Sequence, residues 1–196
     1  MTLKEIAIKN RSYRAFDELS PIGNHELLDM IDVARYTASS VNIQPFKYYV
    51  SNDKETNDLI FPHLNWARLL KDYEGPESGR RPSAYIILCN DLKIAPNVDR
   101  FVCDAGIIAQ TILLSAVEKG YGGCMIKNFK PEDISSALHL PEIYRPFLVL
   151  ALGKPTEEII LEEIDPGEKT TYYRDAENRH HVPKRKLRDI VINRQF

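Results

Sequence analysis

Read for the period of its apolar positions, the chain divides into short strands and helices of unequal length. Leu27, Leu28, Ile31 and Ala34 recur at helical spacing behind Pro21 and Asn24, which predicts a helix ending before Ser39. Phe46 to Val50 is aromatic and β-branched instead, the signature of a strand. Ahead of both, Thr2 and Glu5 have capping-box spacing, so a short helix runs from Leu3 to about Lys9 and delivers Asn10 to Arg14 in the turn behind it. Asp53 to Phe61 reads as another helix, Gly75 to Pro82 as a polar turn, and Ala84 to Cys89 as a buried strand. The longest helix follows, from about Val98 to Lys119, stopped by Gly120. It is apolar nearly all round between Ala105 and Val117, which suits the centre of a domain or a subunit interface. Gly122 to Ile126 reads as a strand leaving a tight turn, and Pro131 opens a helix through about Leu138. Phe147 to Leu152 is a third buried strand, ended by Gly153 and Pro155. Beyond it the chain turns polar and irregular, through an acidic stretch from Glu157 to Glu168 and on to His180 and His181. It closes on an extended piece from Lys186 to Asn193.

A chain of 196 residues is long enough for one well-buried core. Residues 1–196 are therefore expected to form a single domain, with a C-terminal arm from about residue 155 that lacks a core and clasps a partner subunit. A net charge of −2 argues against a general nucleic-acid binder, which would be basic overall. Cys89, Cys103 and Cys124 include no C-x-x-C pair, which fits reduced thiols better than a disulfide framework or an iron–sulfur site. The first residues lack the apolar core and cleavage site of a signal peptide. The apolar run from Ala105 to Val117 is shorter than the ~20 residues of a membrane span. The expectation is a soluble cytoplasmic protein that binds neither nucleic acid nor membrane.

The patterns of common catalytic sites are missing: there is no G-x-G-x-x-G, no Walker loop and no G-x-S-x-G elbow. His25, His63 and His139 are dispersed, and adjacent His180 and His181 point to opposite sides of a strand, so a solvated arm fits them better than a metal site. Asp104, inside the apolar helix, is either a buried acid or a carboxylate hydrogen-bonded to a neighbouring segment. Hydrolysis is thus a poor fit. A cofactor enzyme needs no such constellation, because the cofactor carries the chemistry and the protein supplies placement and field. Three separated segments suit flavin mononucleotide (FMN): Asn10–Arg14, Ser39–Pro45 and Pro183–Lys186. Arg11, Lys184 and Lys186 offer fixed positive charge for its phosphate, and Ser12 a hydroxyl. A guanidinium such as Arg14 would stabilise charge gained near N1 and O2 of the ring.

With these segments in order, the chain resembles the FMN-dependent nitroreductase family. KNRSYRAF is similar to the family's Arg-rich opening, and ARYTASSVNIQPFKYYV to its A-P-S-x-x-N-x-Q-P-W segment. CDAGIIAQTILLSAVEKGYGGCMI resembles its central helix, glycine turn and strand; FLVLALGKP resembles its last core strand and HHVPKRKLRDIV its basic close. The resemblance implies a three-layer α+β fold, a central mixed but mainly antiparallel sheet flanked by helices, built as an intertwined homodimer with two FMN sites. It implies that Asn10, Arg11, Ser12 and Arg14 bind FMN from one subunit with Lys184 and Lys186 at the phosphate, and that Ser39, Ser40, Asn42 and Gln44 come from the other. Met125, Ile126, Lys127 and Asn128 would pass along the ring, with the backbone N–H of Lys127 or Asn128 reaching N5. No side chain is then a proton donor, and no metal is expected. Asn10, Ala38 and Phe46 depart from the family's usual arginine, proline and tryptophan, and Lys127-Asn128 stands where glycine is frequent. The activity implied is hydride transfer from NADH or NADPH, through flavin N5, to a nitro compound, quinone or similar small acceptor in a ping-pong cycle. Reductive dehalogenation, flavin-consuming chemistry and a non-catalytic FMN-binding dimer are the alternatives on the same fold. Arg80 and Arg81 are candidates for reading the phosphate that separates NADPH from NADH.

Overall fold

A computed structural model of the chain describes residues 1–67, 69–70 and 73–193. Two long apolar strands organise it. β3 (Ala84–Asp91) is buried at every position, and β5 (Tyr144–Pro155) at most of them. They pair antiparallel, with a register shift between Leu88 and Cys89. β2 (Phe46–Ser51) lies on the far edge of β3. The other edge of β5 is shared by β4 (Gly122–Ile126), paired to residues 149–153, and by β1 (Phe16–Asp17), paired to Lys154 and Pro155. Every ladder in this five-stranded sheet is antiparallel.

Alternation along the strands gives each face its own set of side chains. Ile86, Leu88, Leu150 and Leu152 pack in one cluster with Leu27, Met30 and Ala34 of α2 (Asn24–Ala34) and with Ala105, Ile108, Ala109 and Ile112 of α4 (Val102–Glu118). Each fully buried Leu or Ile contributes about 1.5–3 kcal/mol of apolar burial. Ile87, Val149 and Ala151 alternate with that set and are also fully buried. On their side α5 (Pro131–Ala137) packs on β5 and α3 (Lys54–Ile60) on α5, giving a three-layer α+β arrangement. α1 (Leu3–Lys9) has the capping box expected of Thr2 and Glu5 and no buried residue. The stretch Val98–Glu118 is long and apolar enough to cross a membrane, but it is a core helix, with 56% of its apolar window buried inside the protein.

Met1–Trp66 with Glu74–Thr156 form this first compact unit; Ala67–Tyr73 with Glu157–Phe196 form a second. The second corrects the expectation of an irregular, solvated arm. β6 (Ile159–Ile164) lies inside the acidic stretch and pairs in parallel with β8 (His180–Arg185), which pairs antiparallel with β7 (Tyr173–Arg174). His180 and His181 are buried, at 2% and 9% exposure. Residues 186–193 are not continuously extended either, because Leu187–Ile190 forms a helical turn, α6.

Candidate functional site

The chain leaves α1 through Asn10, a buried residue whose N–H donates to Ile6 O at 2.8 Å. The next residues fasten to the open edge of β4. Ser12 forms a parallel bridge with Gly123, and Tyr13 N donates to Gly123 O at 3.0 Å. Two glycines permit this approach. A Cβ on Gly122 would stand 2.4 Å from the Tyr13 ring, and one on Gly123 would stand 2.6 Å from Ala151 O.

Arg11 and Arg14 are thereby held beside the strand. Arg11 Nη2 donates to Ala7 O at 2.8 Å, while its buried Nε has no hydrogen-bond partner among the described residues. No carboxylate forms an ion pair with Arg11 among the described residues. Partial burial lowers its pKa from the usual guanidinium value. A cation desolvated without a counter-charge is suited to receive an anion. Arg14 Nη1 donates to Ser12 O at 3.1 Å.

Backbone groups on a strand alternate in direction, so the outward carbonyl of Gly123 sets the rest of the edge. Gly122, Cys124 and Ile126 turn their backbone groups toward β5, while Met125 turns its groups outward. From Gly123 to Ile126 the edge extends for roughly 10 Å at strand rise. Just beyond its end Lys127 Nζ lies 3.6 Å from the centre of the Phe147 ring. Asn128 O accepts from both N and Nδ2 of Asn65, each at 3.0 Å. Asn65 belongs to no motif, and nothing in its local sequence marks it as the residue that orients this corner.

The loop Ser39–Gln44 is anchored elsewhere on the unit. Asp104, in the first turn of α4, accepts from Ser39 Oγ at 2.6 Å and from Ser40 N at 2.8 Å. Of the two readings open for this acid, the structure shows the hydrogen-bonded anchor. Gln44 N donates to Ser39 Oγ at 3.0 Å, and Gln44 Nε2 to Asn42 Oδ1 at 2.9 Å. Val41, Asn42 and Gln44 all have φ between 52° and 55°. For a residue other than glycine that region costs about 1–3 kcal/mol, so the loop is held in a conformation its residues do not favour. Gly123 packs against Leu113, nine residues beyond Asp104. The two polar segments therefore attach to α4 roughly 14 Å apart along its axis.

Lys184 and Lys186 lie in the second unit. Lys184 is exposed on β8, and Lys186 Nζ contacts Asp165 Oδ1 at 2.6 Å. There, too, the His181 imidazole lies between two carboxylates, with Nδ1 on Glu162 and Nε2 on Asp175 at 2.9 Å, and it stacks on Tyr173 at 4.7 Å. No group of His, Cys, Asp and Glu able to hold a metal occurs among the described residues. Arg81 of the first unit lies over Phe61 and 3.6 Å from Asp58.

The model of the Nitroreductase family matches residues 8–154. That span includes Asn10–Arg14, Ser39–Gln44 and all of β4, and ends before Lys184. YodC of Bacillus subtilis (strain 168), provisionally named an NAD(P)H nitroreductase, is 24% identical over 170 residues, covering 73% of this chain and 84% of the relative. The Cr(VI) reductase of Pseudomonas sp. (strain G-1) is 26% identical over 165 residues, covering 78% and 66%. A crystal structure from Exiguobacterium sibiricum 255-15, of a provisionally named nitroreductase in complex with FMN, matches with a TM-score of 0.65 at 20% identity. It covers 80% of this chain and 90% of that one, and shows the likeness of fold.

Proposed function

This chain belongs to the nitroreductase family, and from that premise we propose that it is an FMN-dependent oxidoreductase passing hydride from NAD(P)H to a nitro compound, quinone or similar small acceptor. The names of YodC and the Cr(VI) reductase support reduction with a pyridine nucleotide, and the FMN in the Exiguobacterium protein supports the flavin. The observation that carries the reading is Arg11, a partly buried cation with no carboxylate partner among the described residues, fixed at the head of an open strand edge.

The donor set fits the flavin's chemistry. Arg11 and Ser12 would take phosphate oxygens. Arg14 would face the pyrimidine edge and offset negative charge building at N1 and O2. In this reading Met125 turns its outward backbone groups to the ring, and the N–H of Lys127 or Asn128 is the donor assigned to N5. When bound, FMN would supply the two-electron relay between nucleotide and acceptor in a ping-pong cycle.

The site is completed by a second copy of the chain in this reading. Cys103, Gly106, Ile107 and Gln110 are exposed along one side of α4, and a Cβ on Gly106 would meet open space. Pairing along that stripe would cover Ile107 and bring the partner's loop, with Ser39, Ser40, Asn42 and Gln44, to the flavin. The cytoplasm is the proposed location.

An absorption spectrum of the purified protein, before and after anaerobic NADH or NADPH, tests the proposal. Flavin bands that bleach with a nucleotide and return with a nitroaromatic or quinone are expected. Flavin that no nucleotide bleaches would favour a binding dimer instead, and no flavin after incubation with FMN would overturn the function.

A further inference from the structure

Just beyond the end of β4 stands a charge that no carboxylate of the described residues neutralises. Lys127 makes no ion pair with any carboxylate among the described residues. Its ammonium lies against the π-face of Phe147 at 3.6 Å, and partial burial followed by repulsion from Arg145 lowers its pKa. Arg145, the cation that acts on Lys127, is itself engaged by Glu132 at 2.9 Å. The corner is also fixed: Asn65 holds Asn128 O with two donors, and Phe129 N donates to Lys127 O at 3.1 Å. An aromatic face is a weak counter-charge compared with a carboxylate. A cation oriented this way retains the capacity to bind an anion, and it stands beside the backbone N–H assigned to flavin N5.

We propose that Lys127 selects acceptors carrying a carboxylate or similar anionic group, by pairing with that group while the reducible end lies over the flavin. This rests on the flavin reading above and goes beyond it by naming a substrate class. Lys127 forms no bond to the reacting atoms; it determines which acceptor dwells there. One direct charge pair in a partly solvated site supports a preference of about three- to tenfold, and salt weakens it.

The test uses the FMN-loaded protein and two matched pairs that differ in charge: benzoate against benzamide, and 4-nitrobenzoate against 4-nitrobenzamide. The unreactive pair gives dissociation constants from the perturbation of flavin absorption, and the nitro pair gives kcat/KM. Wild type should favour the carboxylate about three- to tenfold in both ratios. Lys127→Met should bring both ratios below one-third of their wild-type values, Lys127→Arg should keep them, and added salt should lower them only where the charge is present. An unchanged ratio in a flavin-loaded Lys127→Met protein, or no preference in wild type, would overturn the role of Lys127. Wild-type protein that never holds FMN would overturn the flavin reading and this inference with it.

Discussion

Asp104 carries two acceptor duties with one carboxylate, tying Ser39 Oγ and Ser40 N to the start of the core helix. It is 3% exposed, so these bonds are made out of reach of bulk water. Asp104→Ala should lower stability by about 2 kcal/mol, since hydrogen bonds to a charged group are lost and their donors left behind. Urea denaturation measures this, and a change under about 0.5 kcal/mol would mean that the loop holds itself. The helix pattern identified Asp104 as an anomaly, but two readings stayed open because its partners are 64 and 65 residues away. Lys127 shows the reverse situation. Its departure from the family pattern is plain in the sequence, while its contact with Phe147 depends on a strand pairing that no local pattern encodes. Asn65 was not legible at all, because its role lies in which carbonyl it meets.

Helices were easier to read than strand partners. Thr2 and Glu5 cap α1 locally, and Asp53 caps α3 through Thr56 N at 2.8 Å, so their starts are written within a few residues. β6 was hidden because Glu157, Glu158, Glu162 and Glu163 surround its apolar residues, and its partner β8 is some twenty residues on. The sheet of the second unit has a charge cluster within it. His181 on β8 faces Glu162 from β6, Asp175 just beyond β7 and, through Asp175, Arg179; Tyr173 covers its ring. Asp175 first and Glu162 second raise the imidazole pKa. A raised His pKa stabilises fully below its unfolded value of about 6.5, and that stabilisation is lost as pH rises through the folded value. Asp175 is shifted the opposite way, chiefly by His181, so its share is present above about pH 3.9 and disappears as pH falls through its folded pKa. An NMR titration should give His181 a pKa above about 6.5, and Glu162→Gln should move it back down. A wild-type value at or below 6.5 would contradict the arrangement.

At the level of the molecule, the exposed stripe on α4 is the feature that calls for a partner. Ile107 is 42% exposed on the longest helix, beside Gly106 with free space above it. If the proposed dimer pairs along this stripe, Ile107→Glu should give a monomer in size-exclusion chromatography with light scattering, and FMN should be lost on the column. A monomeric wild type that retains FMN would refute the two-chain site. The first unit also depends on a single strand for closure. β1, β3 and β4 all pair with β5, and Phe16 faces Pro155 across that ladder. During synthesis, then, the growing chain can form the β2–β3 ladder early but leaves β4 without its partner until residues 149–153 have emerged. Such long-range closure is slow and leaves strand edges open to wrong partners while it waits. The last core strand to leave the ribosome is therefore the one that ends this exposure, and the cell's chaperones have the interval before it to cover.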